Sequence, residues 1–328
     1  MVGPGDFSRA PSLSTRRDHM LASLAQQGSM LMTQEQLHLG IEQDGDGVTT
    51  LTLMPNPTNE RGGVVVLDDW LISQLELALD AIESGPAPTG LILASGSPRV
   101  FVAGADLAEI ETKDDPTLFR YLERTAAAFI RITNLDCPSV AVIAGSALGG
   151  GLEIAMHCDA LVGVDTPAGE KPYLIGLPEA GLGLCPGWGG TQMLPARVPA
   201  PDAIRATMLG RPWKSDALPS DLFDIVVSKP EHLGDAARAW IGEHPRTRRW
   251  DVPRCIDDMS EDVLTVALDG IEPDMPDNDA AHAVIECVRS GMAHGFATAL
   301  ETERRLLVSL RHTPYAREKL EKFFARQS

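Results

Sequence analysis

Residues 142–159 read VIAGSALGGGLEIAMHCD, and the fold turns on this stretch. Ser139–Ala144, which runs into it, is a short and almost wholly apolar segment, as a buried strand would be. Three glycines follow, Gly149, Gly150 and Gly151, and then an apolar helix that carries Glu153 in its first turn. Glycines let the backbone turn tightly and approach a ligand closely. The free N–H groups at the start of the helix would then face that ligand, a place to hold a developing oxyanion. The glycines alone serve a tightly packed strand-to-helix turn equally well. The spacing is neither G-x-G-x-x-G nor that of a phosphate loop, since no Gly-Lys-Ser/Thr follows.

Outward from this turn the same alternation repeats. Leu37–Glu42 and Val48–Met54 alternate around Asp44-Gly45-Asp46-Gly47, which predicts a hairpin. Val65–Ile82 carries apolar residues at helical spacing, Leu91–Ala94 is a short buried strand, Pro116–Thr133 is a helix and Ala160–Val164 is a strand. Nearly all-apolar strands alternating with helices predict an α/β fold, with helices flanking a mostly parallel sheet. Beyond Pro199 the pattern is helical: Asp202–Leu209, Glu231–Gly242, Glu261–Leu268, Ala280–His312 and Pro314–Arg326, with a Pro/Asp-rich linker at Glu272–Asp279. Residues 1–32 read as a flexible extension, residues 33–230 as the α/β core and residues 231–328 as a helical C-terminal region.

Two further segments carry candidate chemistry. Ala103-Gly104-Ala105-Asp106 is a small-residue loop after a strand, with Asp106 suited to cap a short helix and backbone N–H groups able to supply a second oxyanion donor. Gly176–Leu194 reads GLPEAGLGLCPGWGGTQML and places Glu179 in an apolar Pro/Gly loop. A carboxylate in apolar surroundings is raised in pKa unless hydrogen bonds hold its charge. Two of them, Glu153 and Glu179, in one water-poor pocket suit general acid–base work. Taken singly, each also reads as a cap or loop glutamate in water.

The chain of 328 residues has a formal net charge of −18 and 44% hydrophobic residues. That composition is globular. The charge argues against a nucleic-acid face and against docking on anionic membrane, and no apolar run reaches the roughly 18–20 residues of a membrane span. Five scattered cysteines (137, 158, 185, 255, 287) read as free, buried thiols of a reducing, cytoplasmic protein, with no metal-ligand spacing.

The segments in series, AGAD at 103–106, GSALGGGLE at 145–153 and GLPEAGLGLCPGWGGTQ at 176–192, resemble the crotonase family, and specifically enoyl-CoA hydratases. The resemblance covers about residues 37–230. The tail, with Thr313-Pro314 and FFARQ at 323–327, resembles the end of the hydratase half of multifunctional fatty-acid β-oxidation enzymes, without their dehydrogenase half. It implies a spiral core of ββα units and a lyase that adds water syn across trans-2-enoyl-CoA to give 3-hydroxyacyl-CoA. Δ3,Δ2-enoyl-CoA isomerisation, another crotonase-type acyl-CoA reaction and non-catalytic acyl-CoA binding are the alternatives. By the same resemblance the N–H groups of Ala105 and Gly150 form the oxyanion hole, Glu153 activates water, and Glu179 delivers a proton. Ala103, Gly104, Asp106, Gly149 and Arg99 are assigned to substrate or CoA binding. No metal and no separate cofactor is implied, coenzyme A being part of the substrate, and the assembly is a homo-oligomer, a trimer or dimer of trimers. Seven basic and two acidic residues between Arg304 and Arg326 offer a local patch for an anionic ligand, or an ordinary solvated helix face. Glu179 lies twenty positions after Asp159, a longer interval than the family's usual one, with the extra segment at Thr166–Tyr173.

Overall fold

The structure, a computed structural model, describes residues 37–58, 63–166, 169–244 and 254–326. The extension assigned to residues 1–32 lies outside the described residues, as do Pro167 and Ala168 of the extra segment. Residues from Leu39 onward cluster as one compact unit.

The predicted hairpin is present as β1 (Gly40–Gln43) and β2 (Val48–Leu53), antiparallel with Gly40 opposite Thr52. Its turn is closed by Asp44, whose Oδ1 accepts from the Asp46 and Val48 N–H groups. From there the chain repeats a unit of two strands and a helix. β3 (Gly90–Ser95) enters a six-stranded sheet, β4 (Val100–Val102) a four-stranded one, and α2 (Leu107–Thr112) follows. β5 (Ser139–Ile143), β6 (Ser146–Leu148) and α4 (Gly150–Met156) repeat it, and β7 (Ala160–Val164) and β8 (Leu174–Gly176) begin a third turn. β9 (Trp213–Lys214) closes the small sheet and β10 (Ile225–Val227) the large one. The large sheet runs β1-β2-β3-β5-β7-β10 and the small one β4-β6-β8-β9. Within the large sheet all pairs but β1–β2 are parallel, in registers such as Leu91 with Ser139 and Val140 with Ala160.

Between β2 and β3 lies α1 (Asp69–Ser84). The helical spacing of Val65–Ile82 overreaches at its start. Val65–Leu67 is buried but extended, because Asp68 caps the helix by accepting from Leu71 N–H. The freed segment instead bonds to the loop 103–106: Ala103 N–H to Val65 O, Leu67 N–H to Gly104 O and Asp106 N–H to Leu67 O, each at 2.9 Å. α3 (Asp115–Asn134) packs beside α1. After the small sheet come α5 (Gly190–Arg197), α6 (Ala200–Met208), α7 (Leu233–Glu243), α8 (Glu261–Ile271), α9 (Asp279–Leu310) and α10 (Pro314–Ala325). α7 buries Leu233, Ala237, Trp240 and Ile241 against Ile92, Val140 and Val162 of the large sheet. The predicted helix over 280–312 is interrupted at Gly295, which has φ 79° and ψ 174° and is not helical. No described helix is long and apolar enough to cross a membrane.

Candidate active site

Three strands of the small sheet, β4, β6 and β8, run parallel and end side by side. The carboxyl end of each opens into a turn: Ala103–Ala105 after β4, Gly149–Gly150 after β6, and Leu177–Glu179 after β8. Loops at adjacent carboxyl ends of parallel strands are where α/β folds gather ligands. Here they gather around a cavity of about 380 Å3 lined by all three turns, by Val66, Leu148 and Trp188, and by Leu307 and Phe323 of the C-terminal helices.

The turns approach one another more closely than side chains allow. Gly104 has φ +100°, and a Cβ there would lie 2.9 Å from Leu148 O. Gly149 has φ +54°, and a Cβ there would lie 2.3 Å from Glu179 Oε1. Both positions need glycine for the backbone angle as well as for space. Among the described residues the Ala105 N–H donates to no partner, and the Gly150 N–H, first in α4, has none either. The two N–H groups assigned to the oxyanion hole are therefore both free at one cavity.

Glu153 and Glu179 line the same cavity. Glu153 is fully buried. Its Oε1 accepts from the Trp188 and Gly190 N–H groups, each at 2.8 Å, while Oε2 has no partner. Glu179 Oε2 is likewise buried without a partner. Burial pushes the Glu179 carboxyl up to about 8, with Glu303 adding to it and its own backbone N–H opposing. Glu153 is raised as well, by burial first, then by the negative charges of Glu303 and Glu179, against the pull of its two amide donors.

Glu303 is the functional candidate that sequence reasoning missed. It sits on α9, fully buried, and accepts from the Gly189 and Thr191 N–H groups and the Thr191 hydroxyl. The other assigned residues lie elsewhere. Asp106 is buried as the cap of α2, accepting from Ala108 and Glu109 N–H, and does not line the cavity. Arg99 is exposed in the turn before β4 and does not line it either. Ala103, Gly104 and Gly149 do.

The basic tail divides. Arg311 is buried and donates to the Ile110 and Lys113 carbonyls and to Asp115, tying the C-terminal helices to the α2–α3 junction. Arg305 pairs with Glu286 and Lys322 with Glu318. Of the extra segment, Tyr173 donates its hydroxyl to Val164 O at 2.5 Å, and none of its described residues reaches the cavity. His157, held down to about 4 by burial, donates Nε2–H to Trp188 O at 3.2 Å. Four cysteines are buried as expected, but Cys255 is only half-buried, bonded to Asp257 beside Asp258.

The enoyl-CoA hydratase/isomerase family model matches residues 47–259. The chain belongs to the enoyl-CoA hydratase/isomerase family. It is 29% identical to the fatty acid oxidation complex subunit alpha of Idiomarina loihiensis over 294 residues, which is 87% of this chain and 40% of that protein. The corresponding Shewanella amazonensis subunit is also 29% identical, over 300 residues. The chain thus spans about 40% of the length of these curated relatives. Among solved structures, human mitochondrial Δ3-Δ2-enoyl-CoA isomerase aligns with a TM-score of 0.63 at 22% identity, over 88% of this chain and 97% of that one. A carnitinyl-CoA dehydratase from Mycobacterium thermoresistibile aligns with a TM-score of 0.63 at 20% identity, over 87% of this chain and 89% of that one. The fold is the crotonase fold, and the spiral of ββα units is its core.

Proposed function

We propose that the protein is an enoyl-CoA hydratase that adds water across trans-2-enoyl-CoA to give 3-hydroxyacyl-CoA. One observation carries this reading: two buried carboxylates, each with an unpartnered oxygen, share a cavity with two unpartnered backbone N–H groups. Hydration needs both sets. Attack of water at C3 moves an electron pair onto the thioester oxygen as an enolate, and N–H donors fixed beforehand at that oxygen contribute about 3–4 kcal/mol each. Glu153 Oε2 accepts the water's proton as its oxygen bonds to C3. Glu179 then gives a proton to C2 as the enolate collapses back to the thioester. Burial pushes the Glu179 carboxyl up to about 8, which favours the protonated form that a donor needs. Burial and like charge raise Glu153 as well, and the titration belongs to the pair.

The test is loss of conjugated absorbance with crotonyl-CoA and a longer 2-enoyl-CoA, for wild type, Glu153→Gln and Glu179→Gln. No turnover of either substrate by wild type removes the hydratase reading. Isomerisation of a 3-enoyl-CoA that survives Glu153→Gln assigns the protein to single-base proton shuttling by Glu179. The same reading carries a homotrimeric or hexameric assembly in the cytoplasm, the first read by light scattering.

A further inference from the structure

Four successive N–H groups, Trp188 through Thr191, are taken in alternation by two carboxylates. Trp188 and Gly190 donate to Glu153 Oε1, and Gly189 and Thr191 to Glu303 at 2.6 and 3.1 Å. The alternation depends on Gly189, whose φ of +99° turns successive amides to opposite sides. The Thr191 hydroxyl gives Glu303 a third donor at 2.5 Å, and Gln192 Nε2 in turn donates to that hydroxyl at 2.6 Å. Glu303 is therefore saturated, whereas Glu153 and Glu179 each keep an open oxygen. It does not line the cavity, so it acts on the reaction only through the loop and through its charge. An apolar side chain would fill the same space without the desolvation of a charge, but would leave two buried N–H groups unpaired.

We propose that Glu303 is a positioning residue for the reaction. From α9 it fixes the Trp188–Thr191 loop, whose other two amides orient Glu153, and it sets a negative charge beside the Glu153–Glu179 pair. The proposal rests on the hydratase reading of that pair. The other titratable and charged groups around the loop are the Cys185 and Cys287 thiols, Arg304 beside Glu303, neutral His157, and Tyr121, whose hydroxyl donates to Leu67 O. All three acids are raised primarily by burial, and Glu303 adds to both Glu153 and Glu179.

The experiment compares wild type, Glu303→Gln and Glu303→Ala in the full chain, by crotonyl-CoA hydration across pH and by hydrogen exchange. Glu303→Gln keeps the side chain's shape and loses the charge. Its kcat is expected to fall about 10- to 100-fold, as a misplaced catalytic group does, with KM within about threefold. Both limbs of its pH profile move to lower pH, because Glu153 and Glu179 then ionise more easily. A packing role alone moves neither limb. Unchanged kcat and unchanged limbs overturn the proposal. Glu303→Ala is expected to speed exchange at Trp188–Thr191 but not over the large sheet. Exchange as slow as in wild type overturns the loop part, and this arm decides even if wild type hydrates no enoyl-CoA, which sinks the hydratase reading separately.

Discussion

Two buried acids stand toward opposite ends of one short helix, and their surroundings differ. Asp159, just past the end of α4, is 3% exposed. Its Oδ2 accepts from Ser139 N–H at 2.8 Å and Ser139 Oγ at 2.9 Å, and its Oδ1, which accepts no hydrogen bond, forms an ion pair with Arg254 at 3.3 Å. Glu153, in the first turn of the same helix, has two amide donors, no ion-pair partner among the described residues, a second oxygen left open and two other carboxylates nearby. Burial alone therefore does not mark a reactive acid. An acid whose charge faces a cation and two donors ties strands together, even with one oxygen outside hydrogen-bonding geometry. An acid kept short of partners, among like charges, is held ready for a ligand or a proton.

The largest effect that separates the two should be kinetic. Glu153→Gln is expected to lower kcat for enoyl-CoA hydration by about 10²–10⁴-fold, the usual contribution of a positioned acid or base. Its melting temperature should equal or exceed that of wild type, since one of three clustered carboxylates is removed. A variant that melts early yet turns over normally would put Glu153 in the same class as Asp159.

Asp159→Ala should do the reverse. It strands Arg254 and the Ser139 N–H together, and breaking such a buried pair costs about 3 kcal/mol. Denaturant unfolding measures this as a lower midpoint at unchanged slope. Turnover per folded molecule should stay within about twofold, because no charge in the cavity changes. A large loss of kcat at unchanged stability would show that the two ends of α4 are not separable in this way.

Much of the frame behind this contrast is legible in sequence, and the illegible parts have physical reasons. β3, β5 and β7 are readable because strands buried on both faces are continuous apolar runs. β4, β6 and β8 are three residues each, VFV, SAL and LIG, too short to show a period, so the small sheet that carries the site is implied only by resemblance. Val65–Leu67 has the apolarity of a helix, but Asp68 caps α1 and leaves those residues to pair with the site loop. Glu303 lies within ETERR at 301–305, which reads as a solvated charge run. A signal was present: Leu300, Glu303, Leu307 and Leu310 form the buried stripe of α9, so the one acid on that stripe falls where the helical period demands core. The burial of Arg311, one of the seven basic residues of the tail, is illegible for the same reason, since only the packed α2–α3 junction reveals it.

The pH dependence of stability gives a smaller and distinct test. In the folded chain burial pushes the Glu179 carboxyl up to about 8 from an ordinary value of 4.5. Between these values the folded chain holds a proton that the unfolded chain has released. Stability from this group is therefore complete below the unfolded pKa and declines as pH rises through about 8. Melting temperatures measured from weakly acidic to weakly alkaline pH should fall in wild type, and fall less steeply in Glu179→Gln. Equal slopes would mean that Glu179 is as well solvated or as well paired as a surface acid.

The smallest effect is expected at Asp106, which stands next to a free site amide and yet belongs with Asp159. It is 7% exposed, its Oδ1 accepts from the N–H groups of Ala108 at 2.9 Å and Glu109 at 3.4 Å, and it does not line the cavity. Its charge is held by the first turn of α2, as a helix cap's is. Asp106→Ala should cost about 1 kcal/mol, the usual loss for a cap, read as a small drop in the denaturation midpoint. The Ala105 amide should keep its direction, because the Asp106 N–H still donates to Leu67 O and the Leu67 N–H to Gly104 O, so kcat and KM should each change less than about threefold. A tenfold loss of kcat would move Asp106 from capping to chemistry, and would mean that proximity along the chain, rather than the count of partners around the carboxylate, decides which acids in this fold react.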